Sequence, residues 1–157
     1  MKQIVLAILF SFALISCNSN FIYGKDVDLP KVGWHKDSII AFQTDSLVNL
    51  PPIITFGFNI RNNTDYYYRN MHLFFEIKIP GKKEPIRDTL DHNLMTPDGY
   101  WAKGVEGANI KESVAYYKFA IQNPPEGIYN INIQQGMRDE VLKDVVSIGA
   151  RIEKLDQ

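Results

Sequence analysis

The chain has 157 residues and a formal net charge of −1, with no basic stripe, which excludes nucleic acid as a partner on electrostatic grounds. Its single cysteine excludes an internal disulfide framework. The length suits one domain able to bury a core without covalent staples, and no internal repeat or low-complexity segment interrupts it.

At the N-terminus, Lys2 precedes an apolar run from Ile4 to Ile15 broken only by Ser11. That run is shorter than the roughly 20 residues a bilayer-spanning helix needs and fits a cleaved export signal. It ends at Leu14-Ile15-Ser16-Cys17. This resembles a bacterial lipobox, whose cysteine receives a diacylglyceryl group through sulfur after cleavage behind Ser16. The domain layout expected is residues 1–16 as signal, 17–30 as lipidated N-terminus and tether, and 31–157 as the folded domain. Several acyl chains hold a protein on a membrane where one binds only marginally.

Beyond Pro30 the dominant pattern has period two. Ile54, Phe56, Phe58 and Ile60 share one face; so do Leu73, Phe75, Ile77 and Ile79. Ala115, Tyr117, Phe119 and Ile121, then Tyr129, Ile131 and Ile133, then Val146, Ile148, Ala150 and Ile152 repeat it. Such alternation marks half-buried strands. Shorter strands are expected over 38–44 and 85–90. Turn chemistry separates the runs: Arg61-Asn62-Asn63-Thr64-Asp65, Pro80-Gly81-Lys82-Lys83, Pro97-Asp98-Gly99 and Asn123-Pro124-Pro125-Glu126-Gly127. The one helical candidate is a turn or two over 136–143. Seven or so strands with short turns predict an all-β, two-sheet antiparallel β-sandwich, of immunoglobulin-like or jelly-roll topology.

No enzyme motif accompanies this pattern. There is no Gly-x-Ser-x-Gly and no glycine-rich phosphate loop. His35, His72 and His92 stand in no zinc spacing, and His72 is expected on an outward strand face. Asp88 and Asp91 are the nearest approach to a paired-carboxylate site, a weak one. The reading is therefore a protein without catalysis, cofactor or metal.

Aromatic residues are frequent. Trp34, Tyr100 and Trp101 could stack a carbohydrate if exposed, or plug the ends of the core. In Tyr66-Tyr67-Tyr68, alternation cannot bury all three, so at least one faces solvent or a partner. Residues expected to carry partner contacts are Arg61, Asn62, Asn63, Asp65, Tyr66, Trp101 and Arg138, since arginine and aromatic groups are common interface anchors. The competing roles are turn building for the asparagines and Asp65, and helix capping for Arg138.

Several segments together resemble the gliding motility lipoprotein GldH family of the Bacteroidetes: Gly33-Trp34-His35-Lys36-Asp37-Ser38, Arg61 to Tyr66, Asp88-Thr89-Leu90, Pro97-Asp98-Gly99-Tyr100-Trp101, Met137-Arg138 and Ile148 to Glu153. Order and spacing match over nearly the whole chain, with Ala102 standing where that family tends to have glycine. The resemblance implies a lipid-anchored part of the envelope machinery for gliding, without catalysis or known cofactor, whose partners are the membrane and other envelope proteins. Asn18-Ser19-Asn20 lacks the acidic residues common after the cysteine of surface-exported lipoproteins in this phylum, which points to a periplasm-facing anchor. Asp37-Ser38-Ile39, Asp45-Ser46-Leu47 and Asp88-Thr89-Leu90 match the O-glycosylation pattern of exported proteins there, making Ser38, Ser46 and Thr89 candidate acceptors.

Overall fold

A computed structural model describes residues 20–102 and 109–155. The signal segment and Cys17 lie outside the described residues. Within them the chain forms β1 (Phe21–Asp28), β2 (Trp34–His35), β3 (Ile40–Gln43), β4 (Ile53–Asn63), β5 (Asn70–Lys78) and β6 (Ile86–Asn93). It continues with β7 (Ile110–Tyr116), β8 (Ile121–Gln122), β9 (Asn130–Gln135), β10 (Val141–Leu142) and β11 (Val145–Lys154).

These strands build two antiparallel sheets. One has the order β1-β11-β4-β7, with β8 also on β4; the other has the order β3-β9-β5-β6; β2 and β10 form a separate short pair. Counting only the eight strands on the two paths, the orders become 1-8-3-6 and 2-7-4-5. That is the jelly-roll arrangement of two interlocked Greek keys, which decides between the two topologies expected. The inward faces of β4 and β5 meet at Phe58 and Phe75, whose rings are 4.9 Å apart. Phe56 and Tyr129 meet at 6.2 Å nearer one end. Ile54, Ile60, Leu73, Ile77, Ile131, Ile133, Ile148 and Ile152 fill the space between the sheets.

Three elements differ from the sequence reading. Residues 21–28, expected to be tether, form β1, paired with β11 from Phe21↔Glu153 to Asp28↔Ser147. Its segment Phe-Ile-Tyr-Gly-Lys-Asp-Val-Asp mixes charge and glycine because it is a sheet edge, mostly exposed. β7 begins at Ile110 and ends at Tyr116, earlier than expected; the Tyr117 N–H still bonds the Phe56 carbonyl at 2.9 Å, while its ring packs on Phe75 at 5.0 Å. Residues 136–143 form no helix; a tight turn leads into β10, which pairs with β2 through Val141↔His35 and Leu142↔Trp34.

Successive strands of the jelly roll alternate in direction, so the connections gather at two ends. The β1–β3, β4–β5, β6–β7 and β9–β11 connections share one end. The other holds the β3–β4, β5–β6 and β7–β9 connections, the start of β1 and the finish of β11. The first is the loop end and the second the terminal end.

Candidate functional site

Local chemistry at the loop end starts with β4. The alternation that turns Ile60 inward also turns Asn62 inward, and Asn62 is 1% exposed. Its side-chain amide donates to the Asn63 carbonyl at 2.9 Å. The Asn63 N–H donates to the Asp144 carbonyl at 2.8 Å, and Tyr66 N–H to the Asn63 carbonyl at 3.1 Å, which closes the turn. Asp144 adopts φ 63° between β10 and β11, a left-handed conformation that aspartate tolerates better than most residues.

The tyrosine triplet then divides. Tyr66 is 3% exposed and donates its hydroxyl to the Asn70 carbonyl at 3.1 Å; burial pushes its phenol far above the ordinary value, with Tyr68 and Asp139 adding to the effect. Tyr68 donates to Asp139 Oδ1 at 2.8 Å, and chiefly that hydrogen bond raises its pKa. Tyr67, between them, is 88% exposed, its ring edge-on to Tyr68 at 5.2 Å. Asp139 is positioned in turn by Gln135, which donates to the Asp139 carbonyl at 2.9 Å and accepts from Met137 N–H at 2.8 Å.

Between this loop and residues 139–144 lies a recess of about 570 Å³. Asp65, Asp139, Glu140 and Asp144 line it with Lys143 and the three tyrosines, so carboxylates outnumber cations at its walls. Arg138 is exposed beside it, near enough to Tyr68 to counter part of the Asp139 effect. On the flank, the 94–102 segment is tied to the same loop: Leu94 and Met95 N–H both donate to the Arg69 carbonyl, and Arg69 Nη2 donates to the Thr96 carbonyl at 3.0 Å. Its Pro97-Asp98-Gly99 turn forms as expected, with Gly99 at φ 85°.

The residues expected to bind a partner are thus partly gathered and partly reassigned. Asp65, Arg138 and the turn built on Asn63 share the loop end. Asn62 and Tyr66 are corrected: both are buried and serve the loop's own hydrogen bonds. Arg61 belongs to the outward face of β4, opposite Glu112 of β7 at 3.8 Å, and is not a loop residue. Trp101 is half-buried, packs against the core and bridges to Met95. Tyr67, Tyr68, Asp139, Glu140 and Asp144 line the same recess and are not among the residues singled out from the sequence. Alternation in the triplet left open whether Tyr67 or its two neighbours are buried; the structure buries Tyr66, half-buries Tyr68 and leaves Tyr67 outside.

Trp34, Tyr100 and Trp101 do not form an exposed aromatic platform. Trp34 is 1% exposed, its indole N–H bonded to the Ser38 carbonyl at 2.9 Å, and only Tyr100 lies open to solvent. A different recess, of about 580 Å³, lies over the outward face of β9-β5-β6. Phe74 is half-exposed there among Glu76, Arg87, Thr89, Asn132 and Gln134. Arg87 Nη2 pairs with Glu76 at 2.7 Å. Partial burial alone would raise the Glu76 carboxyl, but Arg87 and then Lys78 outweigh it and hold it below the usual range.

Asp88 and Asp91 do not form a carboxylate pair. Three residues apart on β6, they point to opposite faces: Asp88 toward Tyr117 and Lys118, Asp91 toward Asn70 and His72. His72 is on the outward face, as expected; His92 is turned inward, its Nε2 3.1 Å from Ser113 Oγ. Among the described residues, no three His, Cys, Asp or Glu side chains converge as a metal site. Ser38, Ser46 and Thr89 are all exposed.

A jelly-roll sandwich with a built, solvent-facing loop end defines a class of β-sandwich module. The model of the GldH lipoprotein family matches residues 21–152, from the start of β1 nearly to the end of β11, and the chain belongs to that family. It is 34% identical to a gliding motility lipoprotein GldH homolog of Christiangramia forsetii, with 99% of each chain covered. It is 29% identical to gliding motility lipoprotein GldH of Flavobacterium johnsoniae, covering 99% of this chain and 98% of that one. Among solved structures, a fructofuranosidase of Schwanniomyces occidentalis superposes with a TM-score of 0.41 at 8% identity, over 90% of this chain and 35% of that one, a likeness too low to carry a functional argument.

Proposed function

We propose that this chain is a non-enzymatic lipoprotein of the cell envelope, held by lipid on Cys17, that serves the gliding machinery by docking another envelope protein onto its loop end. The observation that carries the docking site is Tyr67. Its ring is 88% exposed and stands edge-on at 5.2 Å to Tyr68, which a hydrogen bond to Asp139 fixes. Rigid aromatic groups rimmed by charge are the usual anchors of protein interfaces. Asp65, Asp139, Glu140 and Asp144 favour a partner surface carrying lysine or arginine.

Family membership and the names of the two relatives support the lipid anchor and the link to gliding. The start of the exported chain, Asn18-Ser19-Asn20, supports a periplasm-facing anchor. Tethering confines the domain near its partners and raises their effective concentration. The test is crosslinking and pull-down from intact envelopes with wild type, Cys17→Ala and Tyr67→Ala chains. A specific partner captured by wild type and lost in both variants supports the reading. A partner kept by Tyr67→Ala removes the loop end from the account, and one kept by Cys17→Ala removes the need for the anchor.

Carbohydrate is the second reading, and it rests on the recess around Phe74. An apolar ring among planar amides and a fixed Glu76–Arg87 pair suits the apolar face and hydroxyls of a sugar. Envelope glycan binding that Phe74→Ala abolishes supports it; binding unchanged by that substitution dismisses it.

A further inference from the structure

The terminal end carries its own surface chemistry, separate from the docking site. Lys154 N–H donates to the Asn20 carbonyl at 2.7 Å, so the chain is already fixed to the sandwich at Asn20. Cys17 precedes Asn20 by three residues. An extended chain spans at most about 3.6 Å per residue, which holds the Cys17 Cα within about 11 Å of Asn20. A lipid on Cys17 therefore draws this end of the sandwich against the membrane surface.

The side chains found there suit that position. Val48 in the β3–β4 connection, Phe119 and Ile128 in the β7–β9 connection, and Leu155 after β11 are exposed apolar groups. Lys82 and Lys83 project from the β5–β6 turn with no carboxylate within 4 Å among the described residues, and Lys118 and Lys154 are exposed nearby. The acidic groups at or beside this end are Asp45, Glu84, Asp88, Glu126 and Glu153; Asp88 faces Lys118 at 3.8 Å, Glu153 pairs with Arg151 at 3.0 Å, and Glu126 accepts from the Asn49 N–H at 2.7 Å. Apolar tips with lysines beside them are the composition of a surface that sits in the headgroup layer of an anionic bilayer.

We infer that the terminal end of the sandwich rests on the lipid surface through Val48, Phe119, Ile128 and Leu155, with the lysines on headgroup phosphates. β4 and β5 then run away from the membrane and carry Tyr67, in their connection, outward. At about 3.4 Å per residue, the ten residues of β11 put the loop end about 30 Å from the lipid. The inference rests on the lipid anchor proposed above.

The test uses the full lipidated chain in vesicles of phosphatidylethanolamine and phosphatidylglycerol, with one engineered thiol in each variant: Val48→Cys, Ile128→Cys or Tyr67→Cys. Lipid on Cys17 consumes the native thiol, so a nitroxide reports only the engineered position. Intact mass before labelling reads lipidation separately. Labels at 48 and 128 are expected to collide several-fold less often with a water-soluble nickel chelate, and more often with oxygen, than the label at 67. Equal accessibility at the three positions on a lipidated chain overturns the seated orientation and leaves the anchor standing. A mass without lipid overturns both.

Discussion

The Tyr68 hydroxyl donates to Asp139 Oδ1 at 2.8 Å, joining the β4–β5 loop to the turn before β10. That bond spans 71 residues of sequence and fixes the ring against which Tyr67 stands. Tyr68→Phe is expected to lower stability slightly, through loss of that one hydrogen bond, measured by urea unfolding. In Asp139→Asn the Tyr68 phenol is expected to titrate at lower pH than in wild type, read by ultraviolet absorbance. An unchanged titration dissolves the link.

Surface and core aromatics should separate cleanly. Phe58 is fully buried against Phe75, and Phe58→Ala is expected to cost about 3–5 kcal/mol. Tyr67→Ala is expected to change stability by less than about 0.5 kcal/mol while removing the partner. A large loss of stability in Tyr67→Ala makes that ring structural.

His92 gives the fold a pH dependence with a definite sign. Burial pushes its imidazole below the usual value, and Asp91 only partly opposes this. The folded state thus holds a neutral His92, whereas the unfolded chain takes up a proton near pH 6.5. Its contribution is full above about pH 6.5 and is lost as pH falls through the folded-state pKa. His92→Gln is expected to flatten that part of the stability profile, followed by thermal melts across the pH range.

Gly33 precedes β2 at φ 115°, and a Cβ there would lie 2.7 Å from the Leu142 carbonyl oxygen. Both the backbone conformation and the contact with β10 oppose a side chain. Gly33→Ala is expected to destabilise by more than about 1 kcal/mol. A neutral outcome in chemical denaturation contradicts the tight β2–β10 pairing.

The three exposed hydroxyl residues remain open to modification. Glycan on Ser38, Ser46 or Thr89 would add mass to the native protein beyond its lipid. An intact mass equal to the lipidated polypeptide removes that expectation.

Period-two alternation made β5 and β9 legible because each buries one face; β4 and β11 keep the alternation in residue type although both of their faces are largely covered. β1 was not legible: an edge strand has little to bury, and its charged residues face water or, like Asp26, bond outward to Asn59. Missing it hid the topology too, since strand 1 beside strand 8 is part of what defines the jelly roll. Asn62 misled for the opposite reason. Its turn-forming residue type suggested a loop, whereas the period of β4 carried it inward. β10 lies in a charged segment with helical composition and is extended because the edge of β2 offers it a partner. At the loop end, Asp65 and Arg138 were found by residue type. Asp139, Glu140 and Asp144 were not, since only the fold brings 139–144 against 65–68.

In the proposed function the loop end around Tyr67 holds a partner while lipid on Cys17 holds the membrane. The most direct measurement places a photo-reactive amino acid at position 67 and, separately, at position 74, and irradiates intact envelopes. A discrete protein adduct from position 67 that is absent from position 74 is the result expected. Adducts from position 74 alone, or none from position 67, would contradict the account.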